Sequence, residues 1–201
     1  MKQAAAVERL GPFGPPVTEL WAPNEVAHAL DLSGARHAVD LIGSGLVGPV
    51  YSAGHSRLLV RAECVRALAA RPAVAASHPS ALVVRVGAAQ IDSEDDSGRE
   101  FYGWNQVVAD SDLALALDGV RGFYQLSDVR ARAVVAAPLP VVITVKGVVV
   151  TAFVAGGWER HRLGLRFDVA ENNPTYPLLA PFAGRRLASG RGGVIAWLRE
   201  A

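Results

Sequence analysis

The clearest alternation of apolar and polar positions lies in the last third of the chain. Val141–Val145 and Val148–Val154 are β-branched runs separated by Lys146-Gly147, which predicts a buried hairpin turning on those two residues. From Trp158 to Val169 the period is two. Trp158, Leu163, Leu165, Phe167 and Val169 make an apolar set, and Arg160, Arg162 and Arg166 take the opposite face of a half-buried strand. Upstream, Ala81–Ile91, Val120–Leu126 and Val129–Ala137 read as further strands, with Arg130 and Arg132 sharing one face of the last. Asn105–Asp118 reads as a helix, with Leu113 and Leu117 four apart and Gly119 as its stop. Val194–Leu198 closes the pattern as a terminal strand or a short helix.

In the N-terminal third the spacing becomes helical. Residues 1–17 form a loose lead-in, since Gly11-Pro12-Phe13-Gly14-Pro15-Pro16 cannot continue a helix. Pro23 then suits a first helical position, Asn24 and Glu25 favour a helix N-terminus, and Val26, Ala27 and Leu30 share one face. Ser33 is the expected N-cap of a second helix, with Ala38, Leu41 and Ile42 inward and Arg36, His37 and Asp40 outward. Leu46–Tyr51 and Arg57–Arg61 flank Ser52-Ala53-Gly54-His55-Ser56 as a second hairpin. A third helix, Ala62–Ala70, carries Val65 and Leu68 and stops at Arg71-Pro72. The small-residue stretch AVAASHPS marks a boundary, giving segments 1–17, 18–75 and 80–201.

Taken in order, PNEVAHAL, the Ser-capped helix, SGLV, the Gly-His turn and RAECVRAL resemble the excisionase and MerR-type winged helix-turn-helix family over residues 18–75. The resemblance implies double-stranded DNA as partner, with the second helix in the major groove. Carried onto this chain, the base-proximal positions are Ser33, Arg36, His37 and Asp40, and the wing positions facing phosphate are His55, Ser56, Arg57 and Arg61. It also implies transcriptional regulation or an excisionase-like architectural task, with a homodimer on symmetric half-sites. Three departures stand out. Ala22 occupies the place of the usual Ser or Thr cap, Gly34 lengthens the turn by one residue, and the second helix has a single Arg. Residues 80–201 carry no family motif.

Composition changes this picture in one respect. Net charge is +1, and residues 18–75 hold five Arg against five Asp and Glu, little for a nucleic-acid binder. An alternative is therefore a non-catalytic protein-interaction module that uses the winged helix as scaffold. Further phosphate-binding candidates are Arg160, Arg162 and Arg166, joined by Arg130 and Arg132, and Arg185 and Arg186 in a Gly-rich stretch. The competing reading is a solvated sheet face paired with acids such as Asp128 and Glu159.

No apolar run reaches the length of a membrane span, because Val141–Gly157 is interrupted at Lys146-Gly147, and the N-terminus makes a poor signal peptide. A single cysteine, Cys64, suits a reducing cytoplasm. The five histidines show no zinc spacing, the acidic stretch 92–98 lacks the calcium-loop pattern, and no nucleophile or dinucleotide motif is present. The expectation is an α+β protein without enzymatic activity, metal or cofactor. Its N-terminal winged helix-turn-helix precedes a β-rich C-terminal domain with one or two helices, which serves dimerisation, a small molecule or a protein partner; an enzyme with its site in that domain is the remaining alternative.

Overall fold

The Lys146-Gly147 turn forms where the valine runs place it, and the main sheet grows from it. In the computed structural model, which describes residues 7–9, 19–53, 57–92, 98–187 and 193–199, the chain is a mixed α+β protein. The lead-in at 11–16, the hairpin tip at His55-Ser56, the acidic stretch 93–97 and residues 188–192 lie outside the described residues. Strands β5 (Ala81–Val86), β8 (Pro140–Val145), β9 (Val148–His161), β10 (Gly164–Glu171) and β11 (Ile195–Leu198) form a five-stranded sheet in the order β10-β9-β8-β5-β11. All pairs are antiparallel except β5 with β8. A parallel pair needs a long crossover. Here it carries a small ladder of β6 (Gln90–Ile91) and β7 (Phe101–Tyr102), then α4 (Gln106–Ser111), α5 (Leu113–Asp118) and α6 (Asp128–Ala136).

Strand β8 is buried at every position, so both faces of the sheet are covered. Val141, Ile143 and Val145 pack into the main core, while Val142 joins Ala81, Val83, Val149 and Phe182 on the other side.

The N-terminal segment supplies α1 (Pro23–Ala29), α2 (Ala35–Gly43), β3 (Val50–Ala53), β4 (Arg57–Arg61) and α3 (Ala62–Ala69). Strand β2 (Leu20–Trp21) pairs with β4, and β1 (Val7–Arg9) runs parallel to β3, giving a second sheet ordered β1-β3-β4-β2. Glu19 fastens its entry. Its carboxylate accepts from Trp21 Nε1 at 2.9 Å and Arg66 at 2.5 Å, and Arg66 lies over the Trp21 ring. The Arg66 guanidinium, then Trp21, hold the Glu19 carboxyl below its usual range. Val26 of α1, Leu30 at its C-cap, and Leu41 and Ile42 of α2 share one apolar cluster with Leu82, Val84, Ile143, Phe153 and Phe167, so the core runs across residues 73–80 without a break.

Several local expectations are corrected. Ser33 does not cap α2: Gly34 holds the cap position with φ 151°, a conformation that favours glycine, and the Ser33 hydroxyl lies 2.6 Å from His37 Nδ1. Asn105–Asp118 is two helices, because the Asp112 carboxylate accepts from the backbone N–H of Leu115 and starts a new one. Val129–Ala137 is not a strand but belongs to α6, begun by Ser127, with Ala131 and Val134 buried three apart. Arg130 and Arg132, two apart on a helix, therefore point in different directions and do not share a face. Val120–Leu126 forms no strand; only Tyr124 bridges to Leu165.

Trp158–Val169 is a hairpin rather than one strand, turning at Arg162-Leu163. Its register sets Arg160 opposite Leu165 and Arg166 opposite Glu159, and opposite residues share a face. Arg160 and Arg166 thus lie on opposite faces of the hairpin. Among the described residues no helix is long and apolar enough to cross a membrane.

Candidate functional site

The positions that the winged-helix resemblance assigns to DNA meet different fates. On α2, Arg36 is exposed and makes no hydrogen bond or ion pair among the described residues, and Val39 beside it is 41% exposed. Farther along the same face the helix engages the rest of the protein, since Asp40 and Gly43 follow Arg36 at helical spacings of four and seven. Asp40 pairs with Lys146 Nζ at 2.8 Å, which ties α2 to the tip of the β8–β9 hairpin. Gly43 sits so close to the β5–β6 connection that a Cβ there would stand 3.2 Å from Ala88 Cβ. The backbone N–H of Gln106 donates to Ser44 O at 2.8 Å, so the start of α4 abuts the end of α2. His37 leans back toward Ser33. The open part of α2 is the strip around Arg36 and Val39.

The hairpin β3–β4 pairs in antiparallel register from Val50↔Val60 to Ala53↔Arg57. Arg57 is placed by its backbone alone; His55 and Ser56 lie outside the described residues. Arg61 is engaged internally. It donates to Tyr51 Oη at 2.8 Å and lies 3.5 Å from Glu63.

Of the arginines of the C-terminal segment, Arg160, Arg162, Arg166 and Arg186 are engaged by the protein itself. Arg160 bridges Asp128 and the Leu126 carbonyl, and Arg166 pairs with Asp118 and approaches Glu159 at 3.9 Å. Arg162 is exposed at the hairpin turn and also has a partner. Arg185 contributes backbone hydrogen bonds to Val149 and Phe182. Arg186 has the most structural role of the five. Its guanidinium donates to Leu30 O and Ala69 O, each at 3.1 Å, at the C-terminal ends of α1 and α3. Those carbonyls lack helical partners and carry the negative end of the helix dipole, so a cation suits them. The five do not converge on one anion site.

Two cavities, neither legible in the sequence, flank this framework. The larger, about 850 Å³, lies between the α1–α2 turn, residues 74–78 and the β11 end of the main sheet. Asp31, Ser33, His37, His78, Arg85 and Lys146 supply its polar wall, and Val83, Leu187 and Leu198 its apolar one. The smaller, about 270 Å³, is lined by Arg99, Tyr102, Phe123 and Tyr124 together with several glycines. Arg99 is fixed there by Asp92 at 2.5 Å and the Gly122 carbonyl, and lies over the Phe123 and Tyr102 rings.

Tyr124 Oη is buried and has no hydrogen-bond partner among the described residues. Burial pushes its phenol far above the ordinary range, only partly offset by Arg99. An unsatisfied buried hydroxyl is destabilising, so Tyr124→Phe is expected to raise the unfolding free energy by about 1 kcal/mol. Urea denaturation measures this; a loss of stability would mean that the hydroxyl has a partner after all.

Among the described residues no group of three or more His, Cys, Asp or Glu is placed to hold a metal ion. In comparisons with protein-family models, curated proteins and solved structures, the chain matches none.

Proposed function

We propose that the chain is a sequence-specific DNA-binding protein, a transcriptional regulator or excisionase-like architectural factor of the cytoplasm, whose reading module is a winged helix-turn-helix in residues 18–75. One observation carries this reading. Two helices joined by a tight turn, an antiparallel hairpin stitched to β2 and a closing helix occur in the order such a module requires, and the exposed Arg36, which has no ion-pair partner among the described residues, stands on the open part of the second helix. In that role Arg36 addresses a guanine edge or a phosphate, and the β3–β4 tip lies along the backbone.

Asp40, His37 and Arg61 are held by Lys146, Ser33 and Tyr51, so the contact surface is smaller than the resemblance alone implies. A homodimer on symmetric half-sites would double that small surface. The reading is tested by selection from a random duplex pool at low salt, with wild type and Arg36→Ala in parallel. Wild type is expected to enrich a sequence that the variant does not. Failure of wild type to retain any duplex would sink the reading.

A second reading has its own support. Val39 is exposed at the centre of the open strip, and residues 18–75 carry no net charge, which suits a protein partner better than phosphate. Under that reading the same selection returns nothing, and Val39→Glu abolishes capture of a protein whose recovery survives nuclease treatment.

A further inference from the structure

We infer that β11 is the interface of a homodimer, pairing antiparallel with β11 of a second copy across a two-fold axis at Ala196. This interface belongs to the main sheet alone and stands whether or not residues 18–75 bind DNA.

The two edges of the main sheet differ. β10 is covered, since Leu165 exchanges both backbone hydrogen bonds with Tyr124 and the Phe167 N–H donates to Arg121 O. It also carries Arg166, Asp168 and Glu171, and charged side chains on an edge deter pairing with another chain. β11 has neither protection. The Arg85 N–H donates to Val194 O at 2.7 Å, so 194 and 85 form a hydrogen-bonded pair. Antiparallel alternation then turns the backbone of Ala196 and Leu198 toward β5 and that of Ile195 and Trp197 outward. Among the described residues none bonds to those outward N–H and C=O groups. The run VIAWL, residues 194–198, contains no charge and no proline, and Val194 and Trp197 are exposed.

A second copy suits this edge because the strand is complementary to itself. Outward bonding from 195 and 197 sets Ile195 opposite Trp197 of the second copy, and the reverse, so all the outward groups of both strands are satisfied. Opposite residues share a face, so each Trp197 ring meets an Ile195. On the other face Val194 meets Leu198, and Ala196 meets its own copy on the axis, where the pair is closest and a small side chain fits. The first charge beyond the strand, Arg199, falls opposite Gly193. That offset keeps the two copies of Arg199 about 20 Å apart, beyond the screening length of physiological salt. The contact is the same patch on both copies, and it joins their main sheets into one. So few residues make a small interface, which places the dimer in the weak, reversible class.

Sedimentation velocity of the full chain, without DNA, from about 5 to about 500 µM is expected to show monomer passing into dimer. Trp197→Pro removes an N–H that points outward and none that bonds to β5, so it should weaken self-association by more than about tenfold and leave circular dichroism unchanged. The register is tested in a Cys64→Ala background. Ala196→Cys is expected to cross-link as a dimer on mild oxidation, because the paired Cα atoms lie about 4.5 Å apart. Val194→Cys should not, since its two copies are offset by about 13 Å along the strands. Monomer at every concentration would overturn the proposal and leave the edge to a strand of another protein. So would a dimer indifferent to Trp197→Pro in the folded variant, or cross-linking at 194 as ready as at 196.

Discussion

Phe153→Ala is expected to cost about 4 kcal/mol of unfolding free energy, a large part of the stability of a chain this size. The phenyl ring is fully buried on β9, opposite Val141 on β8. It belongs to the cluster that also contains Val26 of α1, Leu30 at that helix's C-cap, and Leu41 and Ile42 of α2. Alanine removes the ring and leaves a void that rigid strands on either side cannot close.

Because this core is continuous with the N-terminal helices, the loss should be felt by the whole chain. Circular dichroism and tryptophan fluorescence are expected to report one coincident transition, shifted together in the variant. Two transitions of which only the later one moves would show that residues 18–75 unfold on their own.

Arg186→Met should destabilise the protein by about 3 kcal/mol, from the loss of two hydrogen bonds with a charged donor. Methionine keeps most of the stem's bulk but removes both donors, leaving Leu30 O and Ala69 O unanswered at two helix ends. Arg186 is also bridged through its backbone to Ala73 and Val148, so one residue joins α1, α3, the linking segment and the main sheet. Arg186→Lys is expected to recover less than half of the loss, since a single ammonium cannot reach both carbonyls in the fixed fork of a guanidinium. Chemical denaturation of the three proteins measures the effect. A variant with wild-type stability but weakened anion binding would return Arg186 to the role of phosphate ligand.

These two residues show what the sequence makes legible. The Val141–Val154 hairpin can be read directly, because β-branched runs and a Lys-Gly turn agree at every level. The order of α1, α2, β3, β4 and α3 can be read as well, each element having its own periodicity or turn signal. Where signals conflict, the reading fails for identifiable reasons. In DVRARAVVA the alternation of Arg and Ala and the valines imitate a strand, but Ser127 caps a helix whose Ala131 and Val134 reach the core. At Arg162-Leu163 the chain reverses without a strong turn pair, and the alternation on either side masks the reversal.

The arginines illustrate a different limit. Their charge is visible in the sequence, but whether Arg160 meets Asp128 or a phosphate depends on residues distant along the chain. The cleft is hidden for the same reason, since Ser33, His78, Arg85, Lys146 and Leu198 meet only when five separate segments are folded together.

The most direct test of the functional account is the salt dependence of duplex binding by wild type and Arg36→Ala, using the tightest sequence recovered from selection. With a contact surface of few cations, the slope of log affinity against log salt is expected to be about −3 for wild type. Removing one phosphate-facing arginine should bring it to about −2 with a uniform loss of affinity, or leave the slope and relax one base preference if Arg36 reads a guanine. Affinity and sequence preference unaltered by Arg36→Ala would contradict the account, as would no measurable binding by wild type even at low salt.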